Sequence, residues 1–92
     1  MQAVIVIRSV RDEVVTFLVM APEIENGQRE QKMSIRRMQS IPGAALFGSL
    51  EPGNRFNVEI EDRPTQHGYG IRRVMSADDS ALDLKPDVPA VL

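Results

Sequence analysis

A chain of 92 residues, 42% hydrophobic and 26% charged, suffices for one globular domain with a modest core and is too short for a second. With no cysteine it has neither a disulfide framework nor a thiolate metal site. Apolar runs such as Ala3 to Ile7 fall far short of the ~20 residues a membrane helix needs. No basic region followed by a long apolar stretch opens the chain, so a cytoplasmic protein with no membrane association is expected.

The net charge of −2 is unevenly spread. After Ser76, Asp78, Asp79, Asp83 and Asp87 face only Lys85, which leaves residues 1–75 with ten bases against nine acids. That body is balanced rather than basic. Nine of the eleven bases are arginine, which suits bidentate contact with phosphate or carboxylate, although genomic base composition gives the same excess.

In chain order, Gln2 to Val10 is rich in β-branched residues and predicts a strand buried on both faces where Val4 to Ile7 run unbroken. Arg11-Asp12-Glu13 is a charged break of hairpin length. Val14 to Met20 resumes as a strand with Val15, Phe17 and Val19 on one face, paired with the first. Ala21-Pro22 ends it, and Asn26-Gly27 signals a type I′ turn.

The next segment, Gln28 to Gln39, fits two periods. As a strand it places Met33, Ile35 and Arg37 together; as a helix it forms a stripe of Ile35, Met38 and Ile41, with Asn26 as cap and Pro42-Gly43 as stop. The strand is preferred, because an Asn-Gly turn predicts a returning partner. Either way Arg29, Lys32, Arg36 and Arg37 are the densest basic cluster.

Pro42 to Leu50 predicts a short helix or helical turn whose Leu46, Phe47 and Leu50 plug one end of the core. Pro52-Gly53 suits the centre of a type II turn. Arg55 to Asp62 then alternates, with Phe56, Val58 and Ile60 inward and Asn57, Glu59 and Glu61 outward. After the RPTQHGYG connector, Tyr69 to Met75 forms the last strand and the second arm of a hairpin. The three-residue spacing of Ile71 and Val74 requires either a bulge or an early end. Residues 1–75 are thus one mainly β domain, a small five-stranded barrel with one short helix between its third and fourth strands. Residues 76–92 are an acidic, flexible tail.

The apolar opening strands, the Asn26-Gly27 turn, the Ala44 to Phe47 helical piece and Leu50-Glu51-Pro52-Gly53-Asn54 before Phe56-Asn57-Val58 together resemble the OB-fold, a five-stranded Greek-key barrel. An SH3-like barrel is the competing reading. The OB resemblance implies binding of single-stranded DNA or RNA on the face of the second and third strands. The residues it assigns are Arg29, Lys32, Arg36 and Arg37 on the third strand, Arg11 at one rim, and Arg63, His67 and Tyr69 at the other. Aromatic content of 4% and the absence of tryptophan depart from that pattern, leaving Tyr69 as the one base platform.

Other chemistry finds little support. A lone His67 beside Gly68 has no implied partner for a catalytic base, and one histidine without cysteine does not make a metal site. Glu59 and Glu61 read as solubilising charge. The glycines of HGYG precede no helix and make no phosphate loop. Neither enzymatic activity nor a cofactor is expected. Two functions remain: a nucleic-acid module accessory to a larger replication, repair or phage-encoded complex, or a protein-interaction module that docks on an acidic partner, as an inhibitor or a homo-oligomer. The tail is a recognition peptide loosely similar to those of bacterial single-strand DNA-binding proteins, a frayed terminus, or a strand folding back over the barrel.

Overall fold

The computed structural model describes residues 1–78. Five antiparallel strands, β1 (Gln2–Arg11), β2 (Val14–Met20), β3 (Gln28–Ser34), β4 (Arg55–Ile60) and β5 (Ile71–Ala77), form one sheet in the order β3-β2-β1-β4-β5. Among the described residues a single short helix, α1 (Ile35–Gln39), follows β3, and 3-10 turns occupy Glu25–Gly27 and Ala44–Phe47. Mainly β architecture and a helix between β3 and β4 are as the sequence predicts.

Alternation builds the core. Ile5 and Ile7, Val15, Phe17 and Val19, and Phe56, Val58 and Ile60 are buried on one face, which curls around them. Each such side chain contributes roughly 1.5–3 kcal/mol by leaving water. Phe47 meets Phe56 edge to face at 5.0 Å between ring centroids, and both are buried with Met38 and Ile41 at one end of the sheet. Leu46 is 49% exposed, so the expected plug consists of Phe47 with the half-buried Leu50 alone.

The turns follow their residues. Asp12 and Glu13 take left-handed conformations (φ 51° and 66°) in the two-residue turn from β1 to β2. The Asn54 N–H donates to the Glu51 carbonyl at 3.1 Å across Pro52-Gly53, with Gly53 at φ 94°, as a type II turn requires. Asn26 and Gly27 are both left-handed, but the turn closes one residue earlier than expected, with the Gly27 N–H donating to the Ile24 carbonyl at 2.7 Å.

Two boundaries differ from expectation. Gln28 to Gln39 is both of its alternatives in succession: β3 ends at Ser34, whose Oγ accepts from the Arg37 N–H at 3.2 Å and caps α1. Of the short helix or helical turn expected over Pro42 to Leu50, the turn forms, as the brief 3-10 turn Ala44–Phe47. The β4–β5 ladder carries two irregularities, one of which leaves Arg72 between the pairs Glu59–Arg73 and Ile60–Ile71, so the odd Ile71–Val74 spacing is a bulge. Ser76 and Ala77 complete β5 beyond the expected end at Met75. The remaining tail, from Asp79 on, lies outside the described residues.

The sheet is barrel-like without closing. Its edges, β3 and β5, share no ladder. Two non-strand contacts span the gap instead. The Val74 N–H donates to the Pro42 carbonyl at 2.9 Å, which holds the segment after α1 against β5. The Gln31 side chain, 6% exposed, accepts from the Tyr69 N–H at 2.6 Å and donates to the Tyr69 carbonyl at 3.0 Å.

Candidate functional site

Register decides which basic side chains share a surface, because directly paired residues project from the same side of a sheet. On the outer face of β1, β2 and β3 the pairs Ser9–Thr16 and Thr16–Lys32 make one row, and Arg11–Val14 with Val14–Ser34 make the next. Arg11 and Lys32 therefore flank an open depression lined also by Ser9, Asp12, Val14 and Thr16.

A bulge puts Arg11 there. The β1–β2 register shifts between Ile7 and Ser9, so Arg8 is the extra residue. Val10 then faces the core beside Val15, and Ser9 and Arg11 face outward. In an unbulged strand their sides would exchange. Sequence reasoning missed Ser9 and Thr16 as site residues. The apolar spacing of Ile7 and Val10, three rather than two, carried the same signal as Ile71 and Val74, where a bulge was one of the two alternatives expected.

The four cations expected together on β3 separate. Lys32 is outward, but Arg29 pairs with the buried Val19 and so lies on the inner side of this edge strand, half-buried. Arg36 and Arg37 are not on β3 at all; they are exposed on α1, which begins where the Ile35 N–H donates to the Glu13 carbonyl at 2.9 Å. Arg63 and His67 are exposed in the loop from β4 to β5. The His67 N–H donates to Thr65 Oγ1 at 3.1 Å, and its ring Nε2 lies 3.2 Å from Gln66 Nε2.

Arg29 does share a cleft with Tyr69. Together with Ile24, Glu25, Asn26 and Pro64 they line an open cleft of about 370 Å³ between the β2–β3 turn and the β4–β5 loop. Of the eight residues expected at the site, Arg11 and Lys32 thus share one surface and Arg29 and Tyr69 another.

Charge pairing divides the molecule similarly. Among the described residues, the side-chain ion pairs of arginine all lie on β4 and β5: Arg73–Glu59 at 2.9 Å, Arg55–Asp78 at 3.4 Å and Arg72–Glu61 at 3.9 Å. The Arg55 contact is one of charge, since its Nε makes no hydrogen bond there. No such pair engages Arg11, Arg29, Lys32, Arg36 or Arg37 among the described residues. The N-terminal ammonium of Met1 donates to Asp62 Oδ1 at 3.0 Å, and this hydrogen bond and its charge hold the Asp62 carboxyl below its usual range.

The same outer face carries a second kind of surface. The rows Val6–Leu18 and Val4–Met20 place four half-buried aliphatic side chains beside the Arg11–Lys32 depression. Among the described residues no group of three His, Cys, Asp or Glu is placed to hold a metal ion, and no helix is long and apolar enough to cross a membrane. No protein-family model, curated protein or solved structure matches the chain.

Proposed function

We propose that this protein is a small OB-like module that binds single-stranded nucleic acid without acting on it chemically, through the outer face of β1, β2 and β3. The observation that carries this reading is the shared row and neighbouring row that set Arg11 and Lys32 around the hydroxyls of Ser9 and Thr16. Two cations and two hydroxyl donors around one open depression, against the single carboxylate of Asp12, suit a phosphodiester. The strand order, with β1 between β2 and β4 and the edges drawn together by Gln31 and Tyr69, supports the OB likeness. Fold likeness alone does not carry function, which is why the reading rests on the row.

The chemistry also sets the character of the binding. Phe17, Phe47 and Phe56 are buried, so the outer face has no aromatic platform for successive bases. Affinity comes from phosphate contact, is tolerant of sequence and falls with salt. Anisotropy of a labelled mixed-sequence single strand, titrated with the full chain at low and physiological salt, tests it. Salt-sensitive binding that Arg11→Ala with Lys32→Ala weakens supports the reading; no binding at low salt overturns it.

The aliphatic block of Val4, Val6, Leu18 and Met20 favours a second reading, a protein-interaction module that docks a partner protein or a second copy on this sheet face. Leu18→Glu separates the two. It abolishes protein association while leaving the Arg11–Lys32 depression in place.

A further inference from the structure

We propose that the cleft between Arg29 and Tyr69 is a pocket for a single unstacked nucleotide, with the base against the Tyr69 ring and its phosphate on the Arg29 guanidinium. This rests on the nucleic-acid reading above and gives it the base contact that the outer face lacks. Single-strand binding modules need an aromatic surface for a base beside a cation for its phosphate. In the described structure that combination occurs where the β2–β3 turn approaches the β4–β5 loop.

The cleft is held in shape from beneath. The Gln31 amide hydrogen-bonds both backbone groups of Tyr69, so the residue is pinned by its main chain while its side chain needs no polar partner from that amide. Gly68, at φ 102°, lies so close to the Gln31 side chain that a β-carbon there would strike it. Across the cleft Asn26 and Gly27 are left-handed, which turns the chain back into β3 and sets Arg29 two residues later. Arg29 is half-buried and makes no ion pair among the described residues, so its guanidinium is available to an anion. A volume of about 370 Å³ is at the small end of ligand pockets and suits one base rather than a stack. Ile24 and Pro64 supply apolar walls, and Glu25 and Asn26 offer polar groups to the base edge.

Tyr69 is the one tyrosine of the chain and there is no tryptophan, so tyrosine emission reports on this ring alone. The experiment titrates the full-length protein with a short single-stranded DNA and with an abasic strand of the same length. Tyrosine emission is followed in parallel with anisotropy of the labelled strand. The base-bearing strand quenches Tyr69 and the abasic strand does not. Tyr69→Ala and Arg29→Ala each weaken binding roughly ten-fold, and Tyr69→Phe, which keeps the stacking face, binds as the parent does. Arg29→Ala keeps the reporter ring and its Gln31 anchor, so it reads the site even if Tyr69→Ala loosens the fold. Binding by anisotropy without quenching, unchanged in Arg29→Ala, overturns the pocket and leaves the outer-face reading standing. No binding of either strand overturns both.

Discussion

Gln31 stands in for a peptide unit opposite Tyr69: its carboxamide accepts from the Tyr69 N–H at 2.6 Å and donates to the Tyr69 carbonyl at 3.0 Å. A strand neighbour would offer the same donor and acceptor. One buried side chain thus supplies part of the contact that β3 and β5 do not make as strands. Gln31→Leu leaves two partly buried backbone groups without partners and is expected to cost about 2–4 kcal/mol. In a domain of this size that lowers the melting temperature by roughly 10–20 °C, measured by circular dichroism. Gln31→Glu is impaired at neutral pH, since a carboxylate cannot donate to the Tyr69 carbonyl. It recovers as the pH falls and the carboxyl regains its proton.

Glycine is required at Gly43 for space and not for φ alone. At φ 84°, a β-carbon on Gly43 would run into the Val74 carbonyl, next to the bond by which the Val74 N–H reaches Pro42. Gly27, at φ 77°, has open space around the same position. Gly27→Ala is therefore expected to cost only the left-handed strain of about 1–2 kcal/mol. Gly43→Ala costs more, because the segment must also leave β5. Urea denaturation of the two variants side by side gives the comparison, and equal losses contradict it.

Acid weakens the link between the chain's amino group and the β4–β5 loop. Asp62 has its carboxyl lowered from 3.8, first by the hydrogen bond from the Met1 ammonium, then by that charge, with Arg72 and Arg63 adding to it. A depressed carboxyl stabilises the fold above its unfolded-state pKa, and the contribution is lost as the pH falls through the lower folded value. The urea midpoints of the parent and of Asp62→Asn are expected to differ near neutrality and to converge on acidification below the usual carboxylate range. The gap is small and shrinks with salt, because Asp62 is exposed. Acetylation of the amino terminus removes the same charge pair and also disturbs the ammonium's 2.7 Å bond to the Ile60 carbonyl, so a loss at least as large as that of Asp62→Asn is expected.

Much of this architecture was legible in the sequence because its signals are local. Val15, Phe17 and Val19 alternate without interruption, as do Phe56, Val58 and Ile60, and Pro52-Gly53 states its turn type outright. Gln28 to Gln39 was not legible as one element, since a seven-residue strand passes directly into a five-residue helix. Each period holds over only half the window. The switch was marked by Ser34, a good N-cap, rather than by Asn26. Arg36 and Arg37 left the expected strand for that reason. The partnership of Gln31 and Tyr69 spans 38 residues and has no local signature.

The bulge at Arg8 is expected to matter by its count and not by its side chain. Arg8→Ala keeps the extra residue and the register, and its exposed side chain makes the loss small, within about 0.5 kcal/mol. Deleting Arg8 forces Ser9 and Arg11 toward the core and Val10 into water, so the deletion is expected to unfold the β1–β2 hairpin. Hydrogen exchange of the β1 and β2 amides distinguishes the two. Similar protection in both would show that the bulge does not set the face.

Salt dependence separates the free cations from the paired ones. If Arg11 and Lys32 each meet a phosphate of a single strand, each contributes a slope of roughly 0.7 to the fall of log affinity with log salt. Arg11→Ala with Lys32→Ala is then expected to lower the slope by about 1.4, whatever the base sequence. Arg72→Ala with Arg73→Ala removes the same formal charge from β5, where Glu61 and Glu59 already hold those guanidinium groups at 3.9 and 2.9 Å. That variant is expected to leave the slope nearly unchanged. Equal slopes for the two variants would mean that the strand responds to net charge alone, and the row of Ser9, Thr16 and Lys32 beside Arg11 would lose its claim to be the site.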